Sequence, residues 1–196
     1  MKKSPQFIIG IDEAGRGPLA GPVAVGAVMS KNWQHSVLGV LPKLKDSKKL
    51  SEKQREVWFE FLKQEKKKGN LNFAVSLVSE KIIDRQGIVA AIKIGIKNCL
   101  KKLKAKPLIV SVLLDGSLKA PPEFTNQKTI IRGDESEPII SLASIVAKVT
   151  RDKHMARVAK KYPGYGFEVH KGYGTKKHYK ALKKLGISVI HRRSYL

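Results

Sequence analysis

Two adjacent carboxylates followed by a glycine-flanked arginine form the stretch of this sequence that points most directly to chemistry. Asp12 and Glu13 end a short apolar run that starts at Phe7, and Gly15-Arg16-Gly17 follows them. An apolar run bounded by glycines predicts a strand that is buried on both faces. An unpaired buried carboxylate is energetically costly, so we expect these acids either to reach solvent or to hold a cation.

The turn after the two acids is suited to a phosphate, because its glycines leave backbone N–H groups accessible on both sides of a guanidinium. Metal ligands beside such a turn predict phosphodiester chemistry. One alternative is a plain solvated strand end. Another is a dinucleotide-binding fingerprint, but the spacing of Gly15, Gly17 and Gly21 is one residue too long for it, and the acids would repel a pyrophosphate.

A second apolar run delivers another acid. Residues 108–114 are almost continuously apolar and lead directly into Asp115. The helical pattern over residues 80–103 supplies a crossover that allows this strand to lie parallel to the first. Ligand sites in open α/β sheets lie at the carboxyl ends of the strands. Asp12 and Asp115 should therefore emerge side by side, roughly 5 Å apart.

The remaining pattern predicts an α/β fold with a central five-stranded mixed sheet flanked by helices. Ser51 and Gln54 form a capping box that starts a helix, and Gly69 ends that helix. Pro138 begins a long helix whose apolar stripe is buried, with Lys148 and Arg151 on its other faces. The other expected elements are an antiparallel second strand over residues 22–30, strands at 72–79 and 127–132, and a helix at 176–185.

Charge and cysteine content restrict the partners and the compartment. The chain has 39 Lys and Arg against 16 Asp and Glu, a net charge of +23, which favours a nucleic acid or an anionic membrane surface. No apolar stretch approaches the ~20 residues of a spanning helix, and the N-terminus does not resemble a signal peptide. The single cysteine, Cys99, fits a helix core and a reducing cytosol, so a cytoplasmic protein is expected.

Five segments together resemble bacterial ribonuclease HII, and they occur in that family's order over almost the whole chain. They are residues 9–21, 46–51, 114–116, 143–152 and 170–175. The resemblance implies a ribonuclease H-like fold with a small C-terminal helical extension. It implies a single catalytic domain over residues 1–196, of which about 162–196 form the C-terminal loop and helical extension.

The resemblance also implies the catalytic carboxylates. Asp12, Glu13, Asp115 and Asp134 match the family's four acids, which act as catalytic residues and as ligands of divalent metal, Mg²⁺ or Mn²⁺, with two ions expected when substrate is bound. Asp152 is the alternative for the fourth position; Asp134 is preferred because its Gly-Asp element lies just before the long helix. The sequence has no Cys/His cluster that would indicate zinc.

Substrate recognition is implied at separate positions. In the family, the element that matches Gly15, Arg16 and Gly17 and a tyrosine that matches Tyr173 recognise the junction between a ribonucleotide and the next deoxyribonucleotide. The 2′-OH is the group that distinguishes RNA from DNA there. Lys48, Lys148 and Lys171 are candidates for phosphate contacts, although a solvated surface role is common for lysine. For His178 a structural or surface role is expected.

The predicted function is an endonuclease that hydrolyses the RNA strand of RNA–DNA hybrids. By resemblance it also nicks duplex DNA 5′ of embedded ribonucleotides, leaves 3′-OH and 5′-phosphate ends, and serves ribonucleotide removal and RNA primer processing. Its partner is nucleic acid, with no membrane, and a monomer is expected.

Three alternatives compete with this function. Ribonuclease HIII shares the fold but carries an extra N-terminal domain and lacks the Gly-Arg-Gly element, whereas only eleven residues precede Asp12 here. A non-catalytic nucleic-acid-binding protein would gain by replacing carboxylates that repel phosphate. A basic membrane-surface protein predicts liposome binding without metal dependence.

Overall fold

The computed structural model describes residues 5–31 and 50–196, and a five-stranded mixed sheet forms its centre. The strands are β1 (Phe7–Ala14), β2 (Val23–Lys31), β3 (Leu71–Val78), β4 (Val110–Asp115) and β5 (Gln127–Ile130). Their order is β3-β2-β1-β4-β5. The first three pair antiparallel, whereas β4 lies parallel to β1 and β5 lies parallel to β4. The predicted mixed sheet and the parallel pairing of the first and fourth strands are confirmed.

Helices cover both faces of this sheet. They are α1 (Glu52–Lys67), α2 (Glu80–Lys102), α3 (Gly133–Ser136), α4 (Pro138–Ala159), α5 (Phe167–His170) and α6 (Lys176–Leu185), with short 3₁₀ turns at Pro107–Ile109 and Arg193–Tyr195. The capping box of α1 is confirmed, because Ser51 Oγ accepts from the Gln54 N–H at 3.2 Å and Gln54 Oε1 accepts from the Ser51 N–H at 2.8 Å.

The central strand β1 contributes to two hydrophobic clusters. Ile9 and Ile11 pack with α2 on one face, while Ile8 packs on the other face against the buried stripe of α4. A side chain at Gly10 would overlap the backbone carbonyl of Ile139, so glycine is required for the close approach of α4 to the sheet. This contact matters for the site, because α4 carries several of the residues that line it.

Two predicted strands are shorter in the structure than expected. The strand expected over residues 108–114 begins at Val110, because Pro107 starts a 3₁₀ turn instead of extended chain. The strand expected to reach residue 132 ends at Ile130, since Arg132 adopts a left-handed conformation with φ of 53°.

Two helix predictions also need correction. The helix at residues 80–103 is interrupted at Gly87, whose φ of 81° and ψ of 162° are not helical. Arg151 does not lie on an exposed face of α4 but is fully buried, because backbone carbonyls from the chain before β2 surround its guanidinium. The basic loop around Lys48 lies outside the described residues. Cys99 is buried in the core as predicted.

The last part of the chain packs on the C-terminal half of α4. A third cluster brings together Ala20, Met155, Ala159, Tyr165 and Phe167. An isolated bridge between Ala20 and His191 ties the chain end to the segment after β1. The division of the chain at about residue 162, and its single-domain organisation, stay predictions. Within the described ranges, no helix is both long and apolar enough to cross a membrane.

Candidate active site

Three acidic residues lie at the carboxyl ends of the two central parallel strands. Ile11 pairs with Leu114, so Asp12 and Asp115 are the next residues on adjacent strands, and Glu13 follows. Asp12 is buried, with 5% of its surface exposed, and its Oδ1 accepts from the Glu13 N–H at 2.7 Å. The sequence prediction that Asp12 and Asp115 emerge side by side is therefore confirmed.

A tight backbone contact brings Asp134 to the same edge. Asp115 Oδ1 accepts from the N–H of Gly133 at 2.7 Å and from that of Asp134 at 3.4 Å. Asp134 is buried. We call Asp12, Glu13, Asp115 and Asp134 the acid edge.

Asp152, the alternative fourth acid, has another partner. It is buried and forms an ion pair with Lys148 at 2.9 Å. The geometry therefore favours Asp134 as the fourth member of the acid edge.

Burial, together with neighbouring negative charge, changes the acidity of two members of the acid edge. Burial, followed by repulsion from Glu13, raises the pKa of Asp12 well above its ordinary value, although a hydrogen bond to Ser144 opposes this rise. Burial also raises the pKa of Glu13, against the opposing effect of the Arg16 guanidinium. A proton on these groups, or a cation beside them, would relieve this burial of negative charge.

A divalent cation fits this edge. Glu13 Oε2 is buried and has no hydrogen-bond partner in the described part of the chain, while Oε1 accepts from Arg16 at 3.0 Å. No three His, Cys, Asp or Glu side chains of residues 5–31 and 50–196 are already grouped around one point. This arrangement suits Mg²⁺ or Mn²⁺, since a hard cation such as Mg²⁺ often uses one or two carboxylates and completes its shell with water and substrate phosphate.

The predicted substrate residues line one groove beside Glu13. Gly15, Arg16, Gly17, Lys148 and Tyr173 all contribute to this cavity of about 360 Å³. The structure therefore brings together five of the six predicted substrate-binding residues, and the sixth, Lys48, lies outside the described residues. Lys171 contacts other groups, because its ammonium donates to the Glu168 carbonyl at 2.6 Å and lies 3.7 Å from Glu52.

The turn after Glu13 depends on glycine at its first position. Gly15 has φ of +90°, and a Cβ there would overlap the Arg151 side chain. At Gly17 nothing lies within 4 Å of an added Cβ. The first glycine is thus required by conformation and by space, whereas the second leaves an open surface facing the groove.

Tyr173 lies above two cations. Lys148 Nζ and the Arg151 guanidinium carbon are each 5.7 Å from the centre of its ring, which is a cation–π distance. Tyr173 is 40% exposed, so part of this residue is accessible to a ligand. His178 is fully buried behind this loop and contacts the Tyr173 carbonyl at 2.9 Å, a placement that suits the expected structural role.

Three residues of the site were missed from the sequence. Arg55 and Ser144 also line the groove, and Arg192 is buried against the turn at Gly15. Ser144 lies within a segment that carries the family resemblance, which was a usable signal. Nothing in the sequence distinguishes Arg55 from the many other basic residues, and Arg192 lies 177 positions from its partner.

A ribonuclease H-like sheet that presents acids at the ends of two parallel strands, beside a turn suited to phosphate, defines a nuclease of the ribonuclease H class. The chain belongs to the ribonuclease HII family, whose model matches residues 9–196. It is therefore a ribonuclease H, an endonuclease of RNA–DNA hybrids. The ribonuclease HIII alternative is superseded by this assignment.

Individual relatives agree with this assignment. The chain is 47% identical to ribonuclease HII of Endomicrobium trichonymphae over 188 residues, covering 96% of this chain and 84% of that protein. It is 44% identical to ribonuclease HII of Caldicellulosiruptor bescii, covering 97% of this chain and 87% of that protein. The ribonuclease HII in a PCNA complex from Archaeoglobus fulgidus superimposes with a TM-score of 0.77 at 25% identity, covering 97% of this chain and 95% of that one.

Proposed function

We propose that this protein cleaves duplex DNA on the 5′ side of an embedded ribonucleotide, as well as the RNA strand of longer hybrids, and leaves 3′-OH and 5′-phosphate ends. The observation that carries this proposal is the position of the acid edge, which lies directly beside a groove lined by Gly15, Arg16, Gly17 and Tyr173. Reacting phosphate and sugar would thus be held by neighbouring groups of the same site.

Asp12, Glu13, Asp115 and Asp134 are the residues that would hold divalent cations, Mg²⁺ or Mn²⁺, with two ions expected when substrate is bound. When bound, such cations would supply the activation of water and the neutralisation of charge on the departing 3′ oxygen. The raised pKa values of Asp12 and Glu13 and the buried Glu13 Oε2 support this role, because a nearby cation removes the unfavourable burial of negative charge.

The groove residues bind and orient the substrate. The N–H groups of Arg16 and Gly17 are suited to donating hydrogen bonds to oxygens of the ribonucleotide, including its 2′-OH. Lys148 is 28% exposed at its side chain and supplies a charge for a phosphate. The exposed part of Tyr173 packs on the following sugar, where a second 2′-OH would crowd the ring. Together these contacts would favour a ribonucleotide followed by a deoxyribonucleotide.

The cellular setting forms part of the same proposal. A net charge of +23 supports a nucleic-acid partner. We place the protein in the cytoplasm as a monomer that takes part in ribonucleotide removal and RNA primer processing.

The test is cleavage of an end-labelled DNA duplex that contains one ribonucleotide, beside an all-DNA duplex and a long RNA–DNA hybrid. The proposal predicts a nick immediately 5′ of the ribonucleotide with Mg²⁺ or Mn²⁺, and no nick in chelator or in the all-DNA control. Cleavage of the long hybrid alone would contradict junction recognition, and cleavage of neither substrate would contradict the enzymatic function.

A further inference from the structure

The end of the chain lies directly behind the turn that is proposed to read the substrate. Arg192 is fully buried, and its guanidinium donates to the carbonyls of Gly15 at 2.7 Å, Arg16 at 2.8 Å and Gly21 at 2.9 Å. Tyr195 Oη adds a hydrogen bond to the Arg16 carbonyl at 3.0 Å. Four hydrogen bonds from two side chains therefore fix the backbone between β1 and β2.

These contacts determine where the opposite side of the turn points. In a trans peptide unit, the carbonyl of one residue and the N–H of the next point in opposite directions. Because Arg192 and Tyr195 hold the carbonyls of Gly15 and Arg16 on the inner side, the N–H groups of Arg16 and Gly17 point outward. The groove that these residues line lies on that outer side.

The same segment also fixes the loop that carries Tyr173. His178 Nδ1 is 2.9 Å from the Tyr173 carbonyl, and His178 Nε2 is 3.0 Å from His191 Nε2. His191 Nδ1 accepts from the Ser188 N–H at 2.9 Å. One arrangement of protons satisfies every bond: His191 Nε2–H donates to His178, and His178 Nδ1–H donates to the Tyr173 carbonyl, with both rings neutral.

Backbone contacts join the two halves. The Leu19 N–H donates to the Gly172 carbonyl at 2.8 Å, the Arg192 N–H donates to the Leu19 carbonyl at 2.7 Å, and the Gly21 N–H donates to the Ile190 carbonyl at 2.9 Å. Residues 188–195, which we call the C-terminal segment, therefore contact both the Gly-Arg-Gly turn and, through His178, the tyrosine loop.

We infer that the C-terminal segment sets substrate selectivity. Arg192 and Tyr195 position the N–H groups of Gly15–Gly17, and the His191–His178 pair positions Tyr173. The two elements that recognise the ribonucleotide junction are thereby held in a fixed position relative to each other. This inference rests on the proposed function, because it extends the assignment of Gly15–Gly17 and Tyr173 as the residues that recognise the ribonucleotide junction. Arg192 and Tyr195 are positioning residues and do not contact the reacting atoms.

The test compares Arg192→Lys with Arg193→Lys, the same chemical change one position along. Arg193 is exposed and is held through its backbone: its N–H donates to Asp84 at 3.0 Å, and its carbonyl accepts from the Leu196 N–H at 3.3 Å. Tyr195→Phe is a second variant that removes one hydroxyl and keeps the ring. For each variant, kcat/KM is measured on a duplex with one ribonucleotide and on a long hybrid, and the ratio of the two values is reported.

The inference predicts that Arg192→Lys lowers this ratio about tenfold, because the ammonium of lysine cannot replace the planar, charged guanidinium that donates several hydrogen bonds at once. Tyr195→Phe should lower it about threefold, as for one neutral hydrogen bond. Arg193→Lys should leave it unchanged.

One result would overturn the inference while leaving the proposed function intact: a ratio that is unchanged in both Arg192→Lys and Tyr195→Phe. If kcat/KM falls equally on the two substrates at that unchanged ratio, the C-terminal segment has a purely structural role. If Arg192→Lys fails to fold, the ratio in Tyr195→Phe decides. A wild-type protein that cuts neither substrate would overturn the proposed function itself, and this inference with it.

Discussion

Two sets of titratable groups lie largely away from solvent but differ in their surroundings: Asp12 and Glu13 at the acid edge, and His178 and His191 behind the tyrosine loop. The histidines form a chain in which each ring nitrogen has a partner of the correct kind. At the acid edge, negative groups face one another and Glu13 Oε2 has no hydrogen-bond partner among the described residues. The histidines, whose ring nitrogens are all hydrogen-bonded, thus hold the backbone in place. The acid edge, with an unbonded carboxylate oxygen, marks where a ligand is expected to bind.

The largest effect should come from Asp12→Asn, which removes charge from the acid edge without changing its size. We expect cleavage of the single-ribonucleotide duplex to fall at least about a thousandfold, equivalent to roughly 4 kcal/mol of transition-state stabilisation. Hybrid binding should be retained or improved, because a charge that repels phosphate is lost. Single-turnover cleavage and filter binding measure the two quantities.

The control for this prediction is Glu123→Gln, an equivalent neutralisation at an exposed position. It should leave both cleavage and binding unchanged. Full cleavage activity in Asp12→Asn would show that the acid edge is not the catalytic centre.

The two glycines of the turn should respond differently to the same substitution. Gly15→Ala places a Cβ against Arg151 at a φ of +90°, and should destabilise the fold by about 1–3 kcal/mol. Gly17→Ala meets open space and should leave the free energy of unfolding within about 0.5 kcal/mol of wild type. Urea denaturation of both variants tests this difference, and equal stability would contradict the packing of the turn on Arg151.

The histidine pair should make stability depend on pH. Burial lowers the pKa of His191 to about 4, below its ordinary value of 6.5. Between these values the unfolded chain binds a proton that the folded chain does not. The contribution of His191 to the free energy of unfolding is therefore fully present above pH 6.5 and is lost as the pH is lowered toward 4. The contribution is on the order of 3 kcal/mol.

His191→Gln isolates this contribution. Because the variant loses the titrating group, its stability should fall less steeply between pH 6.5 and pH 4 than that of wild type, whatever its stability at pH 7. The raised pKa of Asp12 and Glu13 acts in the opposite direction, since protonation relieves the acid edge as the pH falls. Parallel pH curves for wild type and His191→Gln would refute the neutral assignment of the pair.

The smallest effect is expected at Lys148, which lines the groove beside Glu13. Lys148→Ala should weaken hybrid binding about threefold to tenfold, and it should also reduce the dependence of binding on salt concentration by about one phosphate contact. Lys160→Ala removes an exposed charge from the residue directly after α4 and serves as the matched control. An equal loss in both variants would indicate that only total charge matters.

The sequence predicted the acid edge better than it predicted the residues that position Gly15–Gly17 and Tyr173. Asp12 and Asp115 could be predicted because each directly follows an apolar run that is typical of a buried strand. The parallel pairing could be predicted because the helix between the two strands serves as a crossover. The role of the C-terminal segment could not be predicted, because Arg192 contacts carbonyls 171 to 177 positions earlier in the chain. No local pattern shows that His191 will meet His178. Arg151 was misplaced for the same reason: helical periodicity does not show which backbone carbonyls will surround a guanidinium.

The most direct measurement of the central claim is the thermal stability of wild type and Asp12→Asn as a function of Mn²⁺ or Mg²⁺ concentration, starting in chelator at neutral pH. If the acid edge is left incomplete without a cation, wild type should gain stability as metal is added, by RT ln(1 + [M]/Kd). Asp12→Asn should be at least as stable as wild type in chelator and should respond little to metal. A wild-type melting temperature that does not change with metal, or an equal rise in both proteins, would contradict the account.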